Sequence, residues 1–257
     1  MLIPGIRGLM LEILCIVCII FAILIFFHNQ ANYEFKINQL GWLERDKVIE
    51  VLPEKHPLVL KGVGSVAFWT QQDCLMRSCY SKIPVFKDKG LSDWLMTAKN
   101  DTACPWSMEH ALLLGHMSGL GTWSDQWISP LIQTNPIYSV WYRPTVSCWA
   151  GTRGLWLTQA RWTCLFVTEG SIQVSIMPST YKKSLPPDWK GTHVGALTVY
   201  DTPFVGDLKF MDIVVRPGHM LIMPAHWFLC WTGLGEQCPM VCSIEYHTPI
   251  SRLIKGT

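Results

Sequence analysis

The sequence predicts a mainly β chain, an antiparallel sandwich or barrel with a helical insertion, preceded by an apolar N-terminal helix. From residue 137 onward, short apolar segments alternate with Gly and Pro, which is typical of antiparallel β proteins. These segments are IYSVWYR, GLWLTQARW, TCLFVTEG, SIQVSIMP, ALTVYD, FMDIVVRPG, HMLIMPA, WFLCWTG and MVCSIEYH. Residues 67–133 have a helical and loop-like pattern instead, with a cap signal at the start of LSDWLMTAKN (Leu91 to Asn100). An earlier strand is predicted at HPLVLKGV (His56 to Val63).

The apolar segment runs from Gly8 to Phe27 and is interrupted only by Glu12. It has about the ~20 residues that a helix needs to cross a membrane. A cleaved signal peptide fits less well, because the apolar core exceeds the usual ~7–15 residues and HNQA is a poor cleavage site. The sequence therefore predicts a tail at 1–7, a transmembrane signal-anchor helix at 8–27, a stalk at 28–49 and one barrel domain at 50–257.

The charges beside this segment predict an orientation. Arg7 and the amino terminus precede it, whereas Glu34 and Lys36 nearly cancel after it. The positive-inside rule then places the N-terminus in the cytosol and the domain in the lumen or outside the cell, with the membrane as a partner. In that compartment Asn100, in Asn-Asp-Thr, is a predicted glycosylation site.

Composition limits the remaining classes of function. Apolar residues make up 49% of the chain and charged residues 16%, which predicts a packed core. The net charge of +2 includes no run of either sign, so we expect no nucleic-acid partner. The Cys residues outside the apolar segment are even in number, which permits disulfides. Spacings such as Cys74/Cys79 and Cys238/Cys242 do not match a metal site.

One stretch, VRPGHMLIMPAHWFLCW, carries a family resemblance. It resembles the second half of the jumonji-like (JmjC) and cupin-like double-stranded β-helix, in which a Pro-Gly-Asp turn and an apolar strand precede Ile-Pro-x-x-Trp-Trp-His. HPLVLKGVGSVAFW is similar to that family's opening strand, TCLFVTEGSIQVSIMPS to its central hairpin, and CSIEYHTPIS to its closing strand. The resemblance covers roughly residues 50 to 252 and implies a jelly-roll barrel with helical insertions.

Active members of this family hold Fe(II) with His-x-Asp and a distal His, leaving positions for 2-oxoglutarate and oxygen. Alignment on the hairpin glycine puts Leu157 and Gln159 at the His-x-Asp positions and Leu229 or Cys230 at the distal His. Ile172 falls where many relatives carry the basic residue that pairs with 2-oxoglutarate. The resemblance thus implies a degenerate member with no catalytic residue, no metal and no cofactor.

Other residues leave narrower alternatives open. His219 and His226 are the candidates for a displaced metal site, although a structural or surface role fits each of them better. The Trp residues on predicted strands could form a sugar-stacking surface, but core packing explains them better. GTRG (Gly151 to Gly154) lacks a following helix, so it is a weak phosphate signal.

These observations favour a non-catalytic, membrane-anchored binding or scaffold module for an unknown protein partner. The alternatives are an Fe(II)/2-oxoglutarate oxygenase or other lumenal enzyme with displaced ligands, and a structural membrane or virion component. Whether the chain is an enzyme stays open, with the interpretation leaning against it.

Overall fold

The computed structural model describes residues 4–64, 66, 68–81, 83–86, 89–133 and 142–255. Its helices are α1 (Pro4–Asn29), α2 (Arg45–Val51), α3 (Gln71–Met76), α4 (Ser78–Ser81), α5 (Leu91–Thr97), α6 (Met108–Met117), α7 (Leu120–Trp127), α8 (Ser129–Ile132) and α9 (Pro249–Lys255). Its strands are β1 (Asn38–Gly41), β2 (Leu58–Lys61), β3 (Pro84–Phe86), β4 (Lys89–Gly90), β5 (Arg143–Ala150), β6 (Arg153–Leu157), β7 (Trp162–Glu169), β8 (Ser171–Pro178), β9 (Met211–Val215), β10 (His219–Pro224), β11 (Trp227–Leu234) and β12 (Met240–His247).

The last eight strands form a nested set of antiparallel pairs. β8 pairs with β9, β7 with β10, β6 with β11, and β5 with β12. The paired ribbon alternates between a larger sheet containing β10, β7, β12 and β5 and a smaller one ordered β6, β11, β8, β9. This is the double-stranded β-helix, so the prediction of a mainly β jelly-roll barrel is confirmed.

The larger sheet is extended at one edge by residues before the barrel. β2 pairs antiparallel with β10, and β1 pairs parallel with β2. The strand predicted in HPLVLKGV is therefore confirmed as β2, a barrel neighbour. Residues 28–49, predicted as a stalk, contain β1 and the start of α2 and so contribute a strand to this sheet.

Side chains alternate between the barrel interior and its outer faces, as the twofold period of a strand requires. On β11, Trp227, Leu229 and Trp231 belong to the main core and are fully buried. Phe228 points the opposite way and packs in a second, smaller cluster on the outer face of the smaller sheet. Trp141, in the segment IYSVWYR that is predicted as a strand, lies outside the described residues.

The second cluster is covered by the connection between β8 and β9, which contains Leu185 and Leu208. The strand predicted at ALTVYD lies in this connection, and that prediction is wrong. Asp201 Oδ2 accepts hydrogen bonds from the backbone N–H and the hydroxyl of Thr198, both at 2.8 Å. Such local bonds close a turn, which removes these backbone groups from any strand pairing.

The predicted helical insertion is confirmed as α3 to α8, between β2 and β5. Part of it packs against the outer face of the larger sheet. The hydroxyl of Tyr246 on β12 lies 3.1 Å from Ser124 Oγ on α7 and 3.2 Å from Ser129 Oγ on α8. Because Tyr246 faces the helices, its neighbours on β12 at odd positions face the barrel interior.

Close backbone contact fixes α6 on β5 and gives a first prediction. A Cβ atom at Gly115 would lie 2.2 Å from the carbonyl oxygen of Val146, so α6 must move to accept any side chain there. We expect Gly115→Ala to lower the free energy of unfolding by about 1–3 kcal/mol, measured by urea denaturation.

The matched control is Gly121→Ala on α7, where a Cβ would meet nothing within 4 Å. Because Gly is less favourable than Ala in a helix, this change should leave stability unchanged or raise it by up to about 1 kcal/mol. Equal effects at the two glycines would contradict the close packing of α6 on β5.

The N-terminal helix α1 does not support the predicted membrane anchor. Within the described part of the chain, no helix has both the length and the apolar character needed to cross a membrane. The predicted signal-anchor at Gly8 to Phe27 is therefore wrong, as are the single-pass localisation and the cytosolic N-terminus inferred from it. The predicted membrane partner is not supported.

Candidate functional site

The aligned His-x-Asp positions lie at and just beyond the end of β6. Leu157 is opposite Phe228 on β11 and packs in the cluster on the outer face of the smaller sheet. Gln159 follows the strand and is half-buried. The inward position at this end of β6 is occupied by Trp156, which packs against the main core.

The other aligned positions are buried. Leu229 pairs with Trp156 across the two strands and faces the interior, where it is fully buried. Cys230 faces outward, with its Sγ atom 4.0 Å from the carbonyl oxygen of Ser175, and burial raises the pKa of its thiol to about 12. Ile172 on β8 is fully buried in the main core.

These side chains do not fit an Fe(II) and 2-oxoglutarate site. Leu157 and Leu229 have no lone pair to donate, and Gln159 offers only a neutral amide. The indole of Trp156 is a hydrogen-bond donor only, so it cannot replace a ligand. Ile172 has no charge with which to pair a carboxylate.

A bulge in β6 puts a charged residue into the barrel. Leu229 pairs with Trp156, but two residues later Trp231 pairs with Arg153, three residues away. The extra residue in β6 places Arg153 and Trp156 on the same, inward side of the strand instead of opposite sides. The barrel interior therefore contains a guanidinium group.

Three indole rings surround this guanidinium. The Cζ atom of Arg153 lies 3.4 Å from the ring centroid of Trp149, 4.3 Å from that of Trp156 and 5.6 Å from that of Trp231. We call Arg153 and these three residues the Arg–Trp cage. Cation–π attraction of this kind strengthens when the partners are removed from water.

Hydrogen bonds hold two of the rings in place. Trp149 Nε1 donates to Ser147 Oγ at 2.9 Å, and the same hydroxyl lies 2.6 Å from Ser243 Oγ on the neighbouring strand. Trp231 Nε1 donates to the carbonyl oxygen of Gly151 at 3.0 Å. The orientation of the cage is thus fixed by the barrel framework.

Burial affects the pKa of the guanidinium in the cage. It lowers the pKa of Arg153 to about 10, while the negative charge of Glu245 acts in the opposite direction. The guanidinium is still cationic at neutral pH. Arg153 Nη1 is buried and has no hydrogen-bond partner among the described residues.

A carboxylate–imidazole pair lies in the interior on β12. Glu245 Oε2 is 2.7 Å from His247 Nε2, and both side chains are buried. Thr163, opposite Glu245 on β7, has a buried hydroxyl without a partner among the described residues, as does the indole N–H of Trp227. The interior is therefore polar in places although it lacks the family's ligands.

The end of the barrel nearest Trp227 is covered by the segment before β1. Phe35 makes edge contacts with Trp227 and Tyr181, at centroid distances of 6.3 and 5.9 Å. Tyr33 adds a hydroxyl contact of 3.4 Å with Ser179 Oγ. These aromatic contacts place the N-terminal segment over the end at which the aligned distal ligand position lies.

The two histidines proposed for a displaced metal site are separated. His219 begins β10 and lines a groove with Lys61 and Arg216, whereas His226 is in the turn after the strand, with φ of 67°. A six-residue strand spans roughly 20 Å, so the two rings cannot share one ion. In the described part of the chain, no group of three or more His, Cys, Asp or Glu side chains is arranged to hold a metal.

Asn100, the predicted glycosylation site, is half-buried in the loop after α5. Its carbonyl group lies against Gly233 of β11, so that a Cβ there would be 2.2 Å from the oxygen. The loop thus packs on the barrel end, and glycosylation of Asn100 stays a prediction.

The thiols give a second prediction. All ten Cys are free, and burial raises the pKa of Cys164 and Cys242, whereas Cys79 is exposed. Because the thiolate is the reactive form, native protein at pH 8 should react with a thiol reagent at Cys79 but not at Cys164 or Cys242. Mass spectrometry of labelled peptides identifies the sites. Labelling of Cys164 without denaturant would contradict the packing of β7.

No family model and no curated protein matches this chain. Similar solved structures are of the cupin and jumonji type. They include E. coli ycfD, described in one structure as a ribosomal oxygenase, with 16% identity and a TM-score of 0.32 over 50% of this chain and 32% of that one. Hydroquinone 1,2-dioxygenase from Sphingomonas sp. TTNP3 has 19% identity and a TM-score of 0.27 over 40% and 58%.

The vicilin of Solanum melongena has 12% identity and a TM-score of 0.26 over 41% of this chain and 24% of that one. Each match spans less than two thirds of the other protein. Similarity this low carries no argument about activity, so the function must be argued from the residues of this chain.

Sequence reasoning missed the Arg–Trp cage. In the sequence, Arg153 stands out only as part of the weak phosphate signal GTRG, and the three Trp residues are predicted as core. Strand alternation alone would put Arg153 and Trp156 on opposite faces, because they are three residues apart. The bulge that brings them together has no signal in the sequence other than Gly154 between them.

Proposed function

We propose that this chain is a non-catalytic binding module built on a double-stranded β-helix. The observation that carries this proposal is the pairing of Trp156 with Leu229 inside the barrel. Trp156 occupies the inward position beside the aligned His-x-Asp positions, Leu229 is itself an aligned distal position, and neither side chain can coordinate iron(II).

The neighbouring groups support the same function. The guanidinium of Arg153 packs against Trp156, so a fixed cation lies in the interior where an oxygenase needs room for a metal and its co-substrate. The two histidines considered as displaced ligands, His219 and His226, lie at opposite ends of β10, His219 as its first residue and His226 in the turn after it, so they do not form one centre. A rigid, charged interior is suited to binding a ligand, or to supporting a surface that binds a partner, without catalysing a reaction.

The test is the metal content of the full-length chain. Protein purified without chelator is analysed by mass spectrometry, then titrated with 2-oxoglutarate in the presence of Fe(II) under anaerobic calorimetry. We expect far less than one metal per chain and no heat of binding that depends on Fe(II).

Two variants compare an imidazole inside the barrel with one on its outer face. Trp156→His introduces an imidazole at an inward position, whereas Leu157→His introduces one on the outer face. One iron or zinc per chain in the unmodified protein, together with Fe(II)-dependent binding of 2-oxoglutarate, would contradict a non-catalytic module.

A further inference from the structure

We propose that the Arg–Trp cage binds a small monocarboxylate through the edge of the Arg153 guanidinium. This inference rests on the proposed binding function and names the class of ligand. It concerns four residues, Arg153, Trp149, Trp156 and Trp231, that the family's iron chemistry does not use.

The first argument is the unpaired charge. Buried cations in proteins are normally paired with an anion, because removing a charge from water is costly. None of the ion pairs among the described residues includes Arg153, and its buried Nη1 has no hydrogen-bond partner among them. The carboxylate of Glu245 is bonded to His247 instead. A bound anion would supply the missing acceptor.

The second argument is the geometry of the cage. Trp149 lies against the guanidinium at 3.4 Å and Trp156 at 4.3 Å, so indole rings pack on the group while its buried Nη1 is left without an acceptor. A guanidinium edge carries N–H donors in one plane, and a planar carboxylate fits it. Arg153 as a residue is half-buried, so part of its side chain is reached by solvent although Nη1 is buried.

The third argument selects a small monoanion. The negative charge of Glu245 acts on Arg153 and would repel a second negative charge on the ligand. The indole rings provide apolar walls, which favour a short hydrocarbon part over a hydrated phosphate. The site is therefore suited to acetate-like ligands more than to phosphate or a dicarboxylate.

The experiment is a titration of the full chain with acetate, followed by NMR of the arginine Nε–H signals and by tryptophan fluorescence. We expect a saturable shift of the Arg153 signal and a parallel change in fluorescence. Acetamide, which is neutral and similar in shape, should produce neither, and inorganic phosphate should bind more weakly than acetate.

Three variants test whether acetate binds at Arg153. Arg153→Met should abolish it, and Arg153→Lys should weaken it by about tenfold because the planar fork is lost. Arg45→Met is the matched control, since Arg45 also lies over an indole, that of Trp42 at 5.0 Å, but on the exposed surface. It should bind acetate as the unmodified chain does. If Arg153→Met does not fold, the comparison of Arg153→Lys with Arg45→Met decides.

The outcomes separate this inference from the proposed function. No saturable acetate binding, or equal affinity in the unmodified chain and Arg153→Lys, overturns the carboxylate site even when the protein is free of metal. Tighter binding of phosphate than of acetate overturns the choice of a monoanion. Metal at one per chain with Fe(II)-dependent 2-oxoglutarate binding contradicts the non-catalytic module instead, whatever acetate does.

Discussion

Replacing Trp231 with Ala should lower the free energy of unfolding by about 3–5 kcal/mol, which is one of the two largest effects we expect. Trp231 is fully buried on β11, its indole N–H donates to Gly151, and its ring contacts Arg153. The substitution removes a large apolar volume and leaves both the Gly151 carbonyl and part of the guanidinium without a partner. Urea denaturation at neutral pH measures the change.

The control for this prediction is Trp127→Ala on α7. Trp127 is 47% exposed, so its removal should change stability by less than about 1 kcal/mol. A cost at Trp231 no greater than that at Trp127 would show that the ring is not enclosed in the barrel as described.

The second large effect concerns the pair on β12. His247→Leu should lower the free energy of unfolding by about 1.5–3 kcal/mol, because it removes the imidazole 2.7 Å from the buried Glu245 carboxylate. Thermal and urea unfolding of the purified variant provide the measurement. The double variant Glu245→Met with His247→Leu should recover part of the loss, since it also removes the buried carboxylate that the single variant leaves without its imidazole.

An exposed ion pair serves as the control. Lys36 and Glu54 form a salt bridge of 3.4 Å with both side chains about half exposed, so Lys36→Met should cost less than about 1 kcal/mol. If the double variant at Glu245 and His247 were as unstable as His247→Leu alone, the loss of the carboxylate's imidazole partner would not be the cause.

The barrel could be predicted from the sequence because its strands carry strong local signals. TCLFVTEG and SIQVSIMP, on either side of the turn at Gly170, form β7 and β8. Gly170 has a φ of 76°, a conformation that L-residues with side chains rarely adopt, so this turn is marked in the sequence itself. The nested pairing of distant strands has no such local signal in the sequence. The prediction of a jelly-roll barrel rests on the family resemblance instead.

The wrong strand prediction and the missed interior residue both have causes in local backbone geometry. ALTVYD has the composition of a strand, but the side-chain bonds of Asp201 to Thr198 close a turn that propensity does not anticipate. Arg153 was missed as an interior group because its direction depends on one extra residue in β6. Both outcomes depend on backbone geometry more than on residue type.

For the apolar N-terminal segment, the sequence predicts the helix correctly but not its role. Its composition predicted a membrane anchor from hydropathy and the positions of a few charges. The helix itself was predicted well, since α1 begins at Pro4 and ends at Asn29. Composition alone did not establish what that helix does.

The most direct test of the central claim is a crystal structure of the full chain grown with Mn(II) as an inert substitute for iron(II), with data collected for anomalous scattering. We predict no anomalous peak between β6 and β11, and continuous density for the rings of Trp156 and Trp231 around Arg153. An ordered manganese ion at this place, with the side chains displaced to coordinate it, would contradict the non-catalytic barrel.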